Sequence, residues 1–294
     1  MNNIYILEGI MSKLEVRQEN HKIFVFKKIF EFESAKQQAE KKKLNAFGMF
    51  AKFNPLKRPT EETVLLSNQI LRYEPFWFVA SKRTINYNCS VTYPVPIHNP
   101  NAVTIVIKNA ENEQLYPVMR QHEKAKIDVQ VTEKCHRVIE YSTYLDGLKR
   151  ELKSTVFTDY IKKFAHDEVD AVALENVLQP LLSLDSLTGM VRSELQNQVI
   201  NASNIEDDFE EITSLYLYFR PVYAFEYHWS AADKIGVIEV DGLTGEIIEN
   251  GNWFKNTFDQ AFTRDNLVEL TAELASTVVP GGGTVIKIAS KVIH

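Results

Sequence analysis

Tyr73-Glu74-Pro75-Phe76-Trp77 and Phe219-Arg220-Pro221-Val222-Tyr223 share one order: ring, charge, proline, apolar residue, ring. They lie 146 positions apart, close to half of the 294-residue chain. Each follows an apolar run, 65–71 or 212–217, and each precedes a segment with the pattern of a β-hairpin. A proline suits the first position of a strand or an edge strand, because it has no N–H to offer a ladder. Aromatic residues after it favour strand and point to alternate faces. The two motifs together predict an α+β fold of two related helix-plus-antiparallel-sheet units, an internal duplication.

Working outward from the first motif, 76–80 and 85–93 read as the two strands of a hairpin with a polar turn at 81–84. Residues 33–46, ESAKQQAEKKKLNA, are strong helix formers. Segments 103–107 and 126–141 read as strands. Two helices are predicted at 144–164 and 166–202, the second broken by Pro180. Acidic 206–211 reads as a linker, 215–229 and 235–249 as the second β unit, and 264–277 as a helix. The division that follows is an N-terminal tail or strand (1–20), a first α+β unit (21–143) and a second (144–263). A C-terminal helix, a Gly-rich hinge and an amphipathic tail (264–294) complete it.

Phe225-Glu226-Tyr227, then 235–240, then Asp241-Gly242-Leu243-Thr244-Gly245-Glu246 resembles the strand–turn–strand of PepSY-type domains. The likeness covers about 223–249. It implies a small recognition or regulatory module. The same residues also make a generic hairpin turn, with Asp capping it and Gly accepting positive φ.

Composition excludes several classes. At 45% hydrophobic with 11 Gly and 10 Pro, the chain is neither disordered nor collagenous. Two cysteines, Cys89 and Cys135, exclude a disulfide framework and a four-thiolate zinc site, and leave one bridge open. No apolar run reaches a membrane span, and the N-terminus does not read as a secretory signal, whether the start is Met1 or Met11. A cytoplasmic protein is expected. Residues 21–58 hold ten Lys/Arg against three Glu, a charge of +7, which leaves −13 on the rest of a chain at −6. Such a split suits a nucleic acid, an anionic membrane, an acidic partner surface, or equally a solvated helix face.

No Walker A, Gly-x-Gly-x-x-Gly, Gly-x-Ser-x-Gly or His-Glu-x-x-His sequence is present. Gly281, Gly282 and Gly283 read as a hinge rather than an anion site. No cofactor is implied. The leading reading is a non-enzymatic scaffold or accessory protein that binds protein, in a homo-oligomer or a larger complex. Its candidate interaction residues are Val285, Ile288 and Val292 on an apolar C-terminal stripe, basic Lys41, Lys42 and Lys43, and Trp77. A nucleic-acid-associated protein using 21–58 is the alternative, and a membrane partner is disfavoured. A third reading is a hydrolase with an unfamiliar site at His166, Asp167, Glu168 and Asp170.

Overall fold

The computed structural model describes residues 14–16, 20–48, 51, 58–108, 112–121 and 124–248. The predicted helix at 264–277, the glycines at 281–283 and the stripe of Val285, Ile288 and Val292 lie outside them. So do Met1 and Met11.

Strand makes up 53% of the structure and helix 19%. This corrects the α+β expectation: the described residues are mostly β, not two helix-backed units. In chain order the elements are β1 (Leu14–Val16), β2 (His21–Phe26), α1 (Phe32–Lys42), a 3-10 turn (Lys43–Phe47), β3 (Val64–Pro96), β4 (Thr104–Lys108), β5 (Glu113–Pro117) and β6 (Met119–Gln121). Then come β7 (Lys124–Asp146), α2 (Ser154–Lys163), β8 (His166–Val169), α3 (Leu184–Gln196), β9 (Asn204–Trp229), β10 (Lys234–Asp241) and β11 (Ile247–Ile248).

Three of these differ from the sequence reading. The predicted hairpin 76–93 is a single strand, and the predicted linker 206–211 is the start of β9. Polar residues at 81–84 and 206–211 satisfy each other instead of turning the chain. Arg83 Nε and Nη2 donate to the two carboxylate oxygens of Asp208 at 2.9 and 2.6 Å. Asn86 and Asn88 donate to Asp207 and Glu206. The long helix expected at 166–202 is a strand, an irregular segment and α3, because 166–169 pairs with β2.

The chain forms two compact units. One comprises the described residues within 14–16, 81–141 and 190–212, the arm unit. The other comprises the described residues within 20–80, 142–189 and 213–248, the core unit. Strands β3, β7 and β9 each give one portion to each unit.

In the core unit the strand order is β11–β10–β9–β3–β7. Within the aromatic run 215–229, residues 217–225 are buried on both faces. Its odd-numbered residues Tyr223, Phe225, Tyr227 and Trp229 pack with Ala35 and Ala39 of α1, whose small side chains let the helix approach the rings. On the even face, Phe76 of β3 stacks on Tyr218 of β9 at 5.0 Å and on Phe157 of α2 at 4.5 Å. Phe24 of β2 stacks on the same Tyr218 at 4.8 Å.

Both prolines lie inside a long strand, not at its start. On one side of β9, β2 pairs in parallel with Leu215 to Phe219, and β10 pairs antiparallel from Val222 onward. Pro221 sits where the partner changes. Pro75 sits in a matching place: Tyr73 bridges Val177 in parallel, and the Pro75 carbonyl then accepts the Gly147 N–H at 3.0 Å. The Pro221 carbonyl accepts the Gly242 N–H at 2.9 Å. Each glycine follows a buried aspartate, Asp146 or Asp241. The likeness stops there. The return from β3 to β7 takes in β4, β5 and β6, whereas β9 turns directly into β10.

The arm unit runs β9–β3–β7–β6, with β1 beside β9 in parallel. Residues of α3 cover one face: Arg192 Nε and Gln196 Nε2 both donate to Glu210, which is buried. β4 and β5 form a separate two-stranded ribbon.

Candidate interaction surface

Two concentrations of unusual side chains stand out, and their chemistry differs. The first is a buried charge network on the even face of the core unit. Glu74 is fully buried. Its Oε1 accepts from Arg72 Nε at 2.9 Å, and its Oε2 accepts from Arg150 Nη2 and Arg220 Nη2, each at 2.8 Å. Arg150 also donates to Asp146, and Arg220 to Asp241. Asp241 Oδ1 accepts the backbone N–H groups of Leu243 and Thr244, while its Oδ2 accepts the Tyr160 hydroxyl. Arg72 donates in addition to Glu239 Oε1. Buried charges persist only when paired and hydrogen-bonded in this way.

Burial alone would raise the Glu74 carboxyl, but Arg150, Arg72 and Arg220 outweigh it and hold it well below the ordinary carboxylate range. Burial would likewise lower Arg220, yet Glu74 and Asp241 keep it above its ordinary value. Burial pushes the Tyr160 hydroxyl up. The network is buried, and the three arginines hold Glu74 ionised within it. It fixes where β3, β9, β10 and the end of β7 meet.

The second concentration lies on the arm unit and faces water. Among the described residues, eleven of the fifteen exposed large hydrophobic ones belong to it. Three of them, Val106, Ile107 and Leu115, lie on the β4–β5 ribbon, Leu115 at 68% exposure, and Val103 just before it is 79% exposed. Register pairs Val106 with Leu115 on one face of the ribbon and Ile105 with Tyr116 on the other. A lone two-stranded ribbon is marginal in water unless something covers it. A shallow open hollow beside it is lined by Thr92, Gln114, Leu115, Tyr116, Asp128 and Gln130.

The structure distributes the residues singled out from sequence rather than gathering them. Trp77 is 2% exposed, so its ring serves packing. Lys41 and Lys42 are exposed in the last turn of α1, where cations complement the helix dipole. Lys43 is bound to Glu40 and Glu61. Two more lysines of the basic stretch, Lys22 and Lys27, pair with Glu168 and Asp167 across β2 and β8. His166 packs its ring against Phe24, Phe26 and Tyr218, and its Nδ1 lies 3.1 Å from the Phe164 carbonyl oxygen. Among the described residues no group of three or more His, Cys, Asp and Glu could hold a metal. Among them, too, no helix is long and apolar enough to cross a membrane.

Sequence reasoning missed both concentrations. Arg72, Arg150 and Asp146 carry no local signal, since their partners come from distant strands. The ribbon was legible as the strand 103–107, and its want of cover was not. No protein-family model, curated protein or solved structure matches the chain.

Proposed function

We propose that this protein is a non-enzymatic scaffold or accessory protein that binds protein, and that it self-associates through the arm unit. The observation that carries the reading is the β4–β5 ribbon, which leaves Val106, Ile107 and Leu115 in water. Exposed apolar patches of this kind mark interaction sites. The flanking Lys108–Glu113 and Lys126–Asp128 pairs give the patch a polar rim, as protein interfaces have. The likeness of 223–249 to a PepSY-type hairpin stays a proposal resting on the sequence, and the Asp241 turn is equally a generic hairpin turn. It lies in the core unit and adds architecture, not a binding face. A cytoplasmic setting fits this reading.

Sedimentation velocity of the full chain tests it. The chain is expected to associate as concentration rises, and the Leu115→Glu variant to remain monomeric with an unchanged circular dichroism spectrum. A wild-type chain that stays monomeric, or a variant that associates equally, overturns self-association through the ribbon.

A further inference from the structure

Strand β7 has β3 along one side. On its other side β6 pairs only with Lys124 to Lys126, and among the described residues no strand lies along 127–141. The Ile97 N–H donates to the Ala125 carbonyl at 2.8 Å, and the Gly147 N–H to the Pro75 carbonyl at 3.0 Å. Both bonds to β3 use odd-numbered residues, one at each end of β7. Backbone groups of successive strand residues point to opposite edges. The even-numbered residues from Gln130 to Glu140 therefore aim N–H and C=O outward. The stretch 127–141 holds neither proline nor glycine to blunt that edge. Such an edge is a template for another strand.

The strand is complementary to itself when reversed about Cys135. Glu133 then falls opposite Arg137, Val131 opposite Ile139 and Val129 opposite Tyr141. These odd-numbered positions form the non-hydrogen-bonded pairs, in which side chains come closest. On the even face Lys134 meets His136 and Gln130 meets Glu140, so like charges never oppose. Centring the pair on Glu133, Lys134 or Arg137 would instead set that charge against its own copy, which is unfavourable. Within the chain, Glu133 and Arg137 have neutral partners. Glu133 accepts from the Tyr93 hydroxyl, and Arg137 Nη2 donates to Gln198 Oε1 at 2.7 Å. Each keeps its charge for a second molecule.

We propose that the open edge of β7 binds the same edge of a second copy of this chain, antiparallel and centred on Cys135. The two arm units then share one continuous sheet, with β7 against β7 at its middle. Main-chain hydrogen bonds from the even-numbered residues close the ladder, and two Glu133–Arg137 pairs fix its register. This deepens the self-association proposed above and rests on it. Leu115 of the ribbon lines one hollow with Asp128 and Gln130 of β7, so ribbon and edge belong to a single interface.

The test combines sedimentation velocity with amide exchange read by NMR, both on the full chain. The Arg137→Glu variant sets like charges opposite one another twice and should weaken dimerisation about tenfold, with an unchanged circular dichroism spectrum. The double variant Glu133→Arg, Arg137→Glu should restore it. In the wild-type chain, even-numbered amides from Gln130 to Glu140 should exchange fast when dilute and gain protection on association. Their odd-numbered neighbours should be protected in both states. Three results overturn edge pairing and leave the ribbon contact standing: a single variant that associates as tightly as wild type, a double variant that stays weak, or even-numbered amides that stay open in the associated state. A wild-type chain that is monomeric throughout overturns the self-association itself, and the edge pairing with it.

Discussion

Glu74 receives guanidinium groups from Arg72 on its own strand, Arg150 beyond β7 and Arg220 on β9. Breaking a buried ion pair by removing one partner leaves the other charge uncompensated, at a cost of about 3–5 kcal/mol. Glu74→Gln is therefore expected to lower unfolding free energy by that order, read from urea denaturation. The same carboxyl sets a pH dependence. In the unfolded chain it titrates at its ordinary value of 4.5, and in the folded protein well below that. Beneath pH 4.5 the unfolded state binds the extra proton, so stability falls as pH falls. Stability should be level from neutral pH down to about 5 as far as Glu74 is concerned, then drop. A wild-type chain whose denaturation midpoint holds steady well below that point contradicts the assignment. Gly147 and Gly242 give a paired check. A Cβ on Gly147 would lie 2.7 Å from the Pro75 oxygen, and one on Gly242 2.8 Å from the Pro221 oxygen. Backbone cannot yield as a side chain does, so each glycine-to-alanine change should cost about 1–3 kcal/mol, as overpacking does. Matched falls in melting temperature are the expected reading.

Among the elements, β9 and the β4–β5 ribbon stand at opposite ends of burial. β9 is covered on both faces over 217–225, while the ribbon is wet on both. Local opening follows buried contact, so amides of β9 should exchange orders of magnitude more slowly than those of β4 and β5. In a concentrated, associated sample the ribbon amides should gain protection and those of β9 should not change. Equal exchange in the two elements would contradict the description of the ribbon as unsupported. Within β9 the reason for a proline is also plain. Residue 221 falls where a parallel partner ends and an antiparallel one begins, so a missing N–H costs little.

Over the whole molecule, burial pushes Tyr160, Tyr218 and Tyr227 upward, and Tyr223 up to about 12. A tyrosine raised in the folded state contributes stability that is complete below its unfolded value of 10.0 and is lost as pH climbs through the folded value. Phenolate absorbance should thus show these rings silent at pH 11, then titrating together as the fold is lost. Early, gradual titration of all the tyrosines would contradict their burial. The sequence reading located many strands but misjudged class. It took Ser81, Lys82, Arg83 and Thr84 for a turn, because polar runs commonly are turns. Asp208 and Tyr141, distant in sequence, turn that stretch into strand by accepting its donors.

Local chemistry written in the chain was enough to place α1, the β4 strand, the aromatic strand at 215–229 and the Asp241 turn, since each rests on propensity, side-chain alternation or turn-forming residues close together. Long-range pairing supplied the rest: strands that run past polar residues, prolines at partner changes, a sealed cluster of arginines and carboxylates, and a ribbon left in water. Those features depend on which distant donor meets which acceptor, and no short stretch of residues carries that information.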